Sequence, residues 1–114
     1  MSGNRLAQYL DEIVKATNNA TAFTCGMSFD AFCSDKRTQQ AVMMSIVIIG
    51  EASATIMDRC PAFAAAHPDL PWQAMRGLRN RVVHGYDAVD LKIVRNTVQI
   101  PLPDLLRQLP SVSE

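Results

Sequence analysis

The sequence predicts an all-α fold, an up-and-down bundle of four to five helices in a single domain over residues 1–114. Three observations carry this. Apolar residues recur every three or four positions through each long segment. No window shows the clean two-residue alternation of a half-buried strand. Glycine and proline punctuate the segments at Gly26, Pro61, Pro71 and Gly85, so the connections are short.

The first helix is expected from about residue 5 to about residue 24. Leu6, Tyr9, Leu10, Ile13 and Val14 form its apolar stripe, which Ala20 and Phe23 continue. Asn4 is placed to cap it, and Gly26 falls just past its end. Ser28 or Asp30 can open a short helical turn through Phe29 and Phe32.

Asp35 or Ser34 can cap the next helix, expected from about residue 36 to about residue 59. Its middle, Ala41 to Ile49, has eight apolar residues in nine, so burial nearly all round is expected. The run is far shorter than the ~18 residues of a membrane span. Ile46 to Ile49 are all β-branched and would suit a buried strand, but helical spacing continues through Ser53, Ile56 and Met57. A helix apolar on all sides in so small a domain implies cover from beyond one chain, and a two-fold homodimer is the simplest source. Gly50 permits close helix approach. Glu51 beside it is a candidate buried carboxylate, or else a surface charge.

Cys60-Pro61 breaks this helix, and Ala62 to His67 can form a short turn. His67-Pro68-Asp69-Leu70-Pro71-Trp72 is a rigid connector, with Pro71 suited to the first position of the next helix. Trp72 is expected to pack that helix onto the core, and His67 reads as a loop histidine. After Tyr86, Asp90 can cap a helix with Leu91, Val94 and Val98 inward. Pro101 and Pro103 interrupt it, and Leu102, Leu105, Leu106 and Leu109 continue an apolar stripe.

Composition sets bounds. Apolar residues make up 48% of the chain, enough for a true core. Eleven basic and eleven acidic residues cancel, so any nucleic-acid contact must be local rather than a coat of charge. Three cysteines (Cys25, Cys33, Cys60) without a Cys-x-x-Cys pair argue against a disulfide framework or zinc site; buried reduced thiols are expected instead. The N-terminal residues Met1 to Arg5 lack an apolar signal region. Together these point to a cytoplasmic protein with no membrane contact, metal or cofactor.

The chemistry concentrates in Arg79-Asn80-Arg81-Val82-Val83-His84-Gly85-Tyr86. From Pro71 to Tyr86 there are three arginines and no carboxylate, a local cationic patch suited to phosphate. Asn80 and His84, four apart, share a helix face, with Arg76 one turn behind. Arg79 and His84 are five apart and can converge only because arginine is long and the helix ends near His84. Gly85 suits the left-handed residue that follows many helices. His84 would then sit in the last turn, where the helix dipole favours a cation. A guanidinium offers a rigid fork of donors to phosphate oxygens, and an imidazole can give and take protons. Spacing alone also fits a solvated helix face with a structural C-terminal histidine.

The stretch resembles the signature of the HEPN superfamily, in which Arg, a polar residue and three further residues precede His. The His-Gly-Tyr ending resembles the HepT branch, the toxin half of HepT/MntA toxin–antitoxin systems. Ile49-Gly50-Glu51-Ala52, Leu70-Pro71-Trp72, Met75-Arg76-Gly77 and Leu102-Pro103-Asp104-Leu105 match the branch in the same order. The likeness runs from about Leu6 to about Leu109. Arg95 departs from the tryptophan common there in the branch, which puts local packing in doubt.

The resemblance implies a metal-independent endoribonuclease toxin acting on RNA within a homodimer. Arg79, Asn80 and His84 would be its catalytic residues, with Arg76 and Arg81 adding cation along the RNA. Tyr86 matches the tyrosine to which the partner nucleotidyltransferase, MntA, attaches AMP. The alternative is a non-enzymatic module that binds a nucleotide or a nucleotidyltransferase partner through the same cleft.

Overall fold

A computed structural model describes residues 2–99 and 107–109 of the chain. In order come α1 (Ser2–Thr24), α2 (Phe29–Cys33), α3 (Lys36–Arg59), α4 (Pro61–Ala66), α5 (Trp72–Gly85), a 3-10 turn (Tyr86–Ala88) and α6 (Leu91–Gln99). Among the described residues there is no strand. Among the described residues, six α-helices rather than four or five result because both short turns, α2 and α4, close true helical hydrogen bonds.

α3 is the spine. It packs against α1 on one side and α5 on the other, while α6 closes over α1, α2 and α3. Its neighbour α5 runs antiparallel to it, since Gly50 faces Arg79 and the earlier Met43 and Met44 lie beside the later Val82 and Tyr86. Val42, Ile46, Ile49 and Ile56 on α3 are fully enclosed with Ile13 of α1, Phe32 of α2 and Val94 of α6. Each such side chain contributes about 1.5–3 kcal/mol of burial free energy.

The ends of these helices follow their sequence. Ser28 Oγ accepts from the Ala31 N–H at 3.1 Å and caps α2. Asp35, not Ser34, caps α3: its carboxylate accepts the Thr38 N–H at 3.0 Å and the Thr38 hydroxyl at 2.7 Å. The cap hydrogen bonds hold the Asp35 carboxyl below the ordinary carboxylate range. Gly26, with φ +73°, supplies the left-handed residue that turns the chain out of α1. Asp90 Oδ1 accepts the Lys92 N–H at 2.9 Å and caps α6.

Several expectations are corrected. Helix α1 already begins at Ser2, so Asn4 lies inside it and does not cap it. Phe23 does not join the core stripe but is exposed, one residue before the helix ends. The three cysteines are free, yet Cys25 and Cys33 are exposed and Cys60 is only half-buried. Cys25 sits in the turn after α1 and Cys33 on the outer side of a five-residue helix, positions left exposed among the described residues. Pro71 precedes α5 rather than opening it. Arg95 is accommodated without a tryptophan's bulk: its guanidinium donates to the Met27 carbonyl at 3.0 Å and lies 5.9 Å from the Phe29 ring centroid. The stretch with Pro101, Leu102, Pro103, Leu105 and Leu106 lies outside the described residues; Leu109 packs half-buried against the core.

Burial of α3 is not all-round. Met44 and Ile48 remain exposed, one turn apart. By length and composition α3 passes as a candidate membrane span, but half of its apolar window is buried in this fold, as in a core helix.

Candidate active site

The rotation of α5 is fixed by its buried residues. Trp72, Met75, Leu78 and Val82 recur at three- and four-residue steps and face inward. Trp72 anchors the start: its ring meets Phe63 edge-on at 6.1 Å, and its Nε1–H donates to the His67 carbonyl at 3.1 Å. His67 itself packs its ring, tilted by 45°, against Phe63 at 4.5 Å between centroids and takes no part in the site.

With that stripe inward, Arg76, Asn80 and His84 follow at four-residue steps on the outer face. Asn80 and His84 are exposed; Arg76 is half-buried and donates to Gln73 Oε1 at 3.5 Å. Arg81, also exposed, lies further round the helix. It lines an open cavity of about 390 Å³ together with His84, Leu78 and Ile93. His84 lies in the last turn of α5, as its spacing from Gly85 predicts.

Gly85 corrects the expected helix stop. Its φ is −179°, extended backbone that any residue adopts, and the chain passes straight into the 3-10 turn. A Cβ there would meet nothing within 4 Å. Tyr86 opens that turn and is 54% exposed as a residue.

Arg79 behaves differently from the other cations. It lies at the edge of the inward stripe with only 21% of its side chain exposed. Its guanidinium turns to α3 and pairs through Nη1 with the Glu51 carboxylate. Its Nε is buried without a hydrogen-bond partner. Glu51 is therefore no buried carboxylate, since 58% of its side chain is exposed, but neither is it an idle surface charge. The sequence singled it out by its place beside Gly50 in an apolar helix, and the carboxylate missing between Pro71 and Tyr86 arrives from α3.

Arg79 and His84 do not converge within one chain. Five residues on a helix place them about 140° apart around the axis and about 7.5 Å along it. Arginine's length could close that gap, but this arginine is turned to Glu51. Among the described residues, no three His, Cys, Asp or Glu side chains group as a metal-ligand set.

Exposed apolar side chains lie beside this arrangement. Met44 and Ile48 on α3, and Val83 and Tyr86 at the end of α5, all face solvent. Met44, Val47, Val82 and Tyr86 line a groove of about 240 Å³ between the two helices. The neighbouring cavity, about 220 Å³, presents Lys36, Gln40 and Asp87 to the other side of Tyr86.

A sequence model of the Ribonuclease HepT-like family matches residues 8–112. The chain is 37% identical over 97 residues to a protein of Thermococcus cleftensis named "Probable ribonuclease HepT", covering 85% of this chain and 86% of the relative. It is 30% identical over 104 residues to a "Putative RNase" of Methanocaldococcus jannaschii, covering 91% and 84%. A second "Putative RNase" of that organism is 30% identical over 112 residues, covering 98% of this chain and 100% of the relative. No solved structure matches the chain.

Proposed function

The chain belongs to the ribonuclease HepT-like family, and from that premise we propose that it is a metal-independent endoribonuclease, the toxin of a toxin–antitoxin pair, working as a two-fold homodimer. The observation that carries the proposal is the division of labour on α5. Arg79 is held at the α3 contact while Asn80 and His84 stand exposed on the wet face.

The chemistry follows from those groups. The ribose 2′-hydroxyl attacks the adjacent phosphorus, and the bond to the 5′-oxygen of the next nucleotide breaks. A cyclic phosphate and a free 5′-hydroxyl result. His84 takes the proton from the attacking hydroxyl or gives one to the leaving oxygen. Arg79 stabilises the charge that builds on the non-bridging oxygens. Asn80 orients the phosphate or His84, and Arg76 and Arg81 hold the flanking backbone.

Dimerisation completes this picture. Since Arg79 and His84 of one chain point apart, a phosphate touched by both belongs at a seam between two copies of α5. The exposed Met44, Ile48 and Val83 give such a seam apolar area to bury.

Tyr86 is the proposed point of control. Its exposed phenol is within reach of a partner nucleotidyltransferase of the MntA type, which would attach AMP there. A bulky anion two residues from His84 would repel RNA phosphate and block its approach. Mass spectrometry of the co-expressed pair should find AMP on Tyr86 and none on a Tyr86→Phe chain; AMP found only elsewhere would end this role.

The deciding experiment is RNA cleavage in EDTA by protein purified without its partner, with His84→Ala alongside. Cleavage by wild type alone supports the enzyme. One observation favours a binding module instead: the Arg79 guanidinium already has an anionic partner in Glu51. Undiminished cleavage by His84→Ala would sink the assignment of His84, and cleavage by neither protein when Tyr86 is unmodified would favour the binding module. Binding to a single pocketed nucleotide would then respond less to salt than binding across several RNA phosphates.

A further inference from the structure

We propose that Gly50 and Glu51 form a seat that positions the Arg79 guanidinium, with Glu51 acting on cleavage only through Arg79. The inference rests on the ribonuclease reading for its kinetic consequence, but its geometry stands apart from it.

Two independent observations meet at Arg79. The first concerns its stem. A Cβ at Gly50 would collide with Arg79 Cβ and lie 2.7 Å from the Met75 carbonyl oxygen and 2.9 Å from Arg79 Cγ. The absent side chain of Gly50 is the notch into which the first carbons of Arg79 fit. The second concerns its head. Nη1 pairs with the Glu51 carboxylate, which follows Gly50 directly on α3. One dipeptide of α3 therefore holds both ends of a long side chain whose rotamers would otherwise be free.

The consequence is orientation. A guanidinium binds phosphate through a planar fork of donors, so its usefulness depends on which edge it presents. Nε is buried and Nη1 is engaged by Glu51. The Nη2 edge is left as the one to meet a phosphate. The Glu51 side chain, 58% exposed, is not needed to hold the core, so its loss should leave the fold intact.

Glu51 also carries negative charge beside the proposed RNA path, and this gives a rival account with opposite sign. If it merely repelled phosphate, neutralising it would strengthen RNA binding and lower KM. A positioning residue does the reverse, since an arginine that acts on transition-state charge fails mainly in kcat.

The test compares wild type with Glu51→Gln, Glu51→Ala, Arg79→Ala and the double variant Arg79→Ala/Glu51→Ala, each checked for an unchanged helical spectrum. We expect kcat to fall about tenfold in Glu51→Ala with KM little changed, on the scale of misplacing one oxyanion donor. Glu51→Gln should fall less, because its amide oxygen still accepts from Nη1. In the Arg79→Ala background Glu51→Ala should cost nothing further. A lower KM with unchanged or raised kcat in Glu51→Gln, or equal losses from Glu51→Ala in both backgrounds, would overturn the proposal.

A second arm does not need activity. Arg79 Nε–H should give a resolved, slowly exchanging signal in nitrogen-15 spectra of the wild type, broadened or lost in Glu51→Ala. An unchanged signal would refute the seat. If no variant cleaves RNA, wild type included, the ribonuclease reading fails while this arm still decides the positioning.

Discussion

Gly50 of α3 lies against the stem of Arg79 on α5, so closely that no side chain fits between them. This contact sets the spacing of the two helices at the point where the proposed chemistry begins. Gly50→Ala must push α5 away or bend Arg79 from its place, because one obstacle is the Met75 backbone carbonyl, which cannot swing aside. The expected cost is about 1–3 kcal/mol of stability, typical of overpacking. Urea unfolding of the variant measures it; a change below about 0.5 kcal/mol would show that the notch has slack.

The exposed pair Met44 and Ile48 predicts the oligomeric state. Wild type should run at twice its chain mass of 12.6 kDa by light scattering. Ile48→Asp should run at the single mass and keep its helicity, because Ile48 is already 38% exposed in one chain. A wild-type monomer, or a dimer indifferent to this charge, would remove the apolar seam from the proposal.

The opposed directions of Arg79 and His84 predict complementation. Arg79→Ala and His84→Ala, each strongly impaired alone, should regain activity when unfolded together and refolded as a mixture. About half of the dimers would be mixed, each with one whole site, giving roughly a quarter of wild-type activity. A mixture as inactive as its components would place Arg79 and His84 of one chain on the same phosphate.

Asp35 predicts a dependence of stability on pH. Its folded carboxyl titrates below its unfolded value because the Thr38 N–H and hydroxyl bond the ionised form. A lowered carboxyl contributes stability above the unfolded value, near 3.9, and loses it as pH falls through the folded one. Asp35→Ala should therefore have a lower Tm than wild type at neutral pH, with the gap narrowing below about pH 4. A gap that stays constant down to pH 2.5 or so would mean the cap acts without its charge.

What the sequence determined by itself is what depends on neighbours along the chain. Periodicity of 3.6 residues fixed the helices, and Ser28, Asp35 and Asp90 marked their starts because a cap reaches only two or three residues. The spacing of Arg76, Asn80 and His84 was enough to place them on one face, since a helix maps four-residue steps onto a single stripe. The tertiary structure decided what depends on residues distant in sequence. Spacing did not show that Arg79 belongs to the α3 contact, that Glu51 is its counter-charge, or that Met44 and Ile48 stay uncovered. Each depends on how α3 and α5 are turned against each other. The close approach at Gly50 fixes that relation, and it joins residues almost thirty positions apart. Gly85 carries the same lesson in reverse: a residue suited to a left-handed stop adopts extended backbone, because the chain leads directly into the 3-10 turn at Tyr86 instead of reversing.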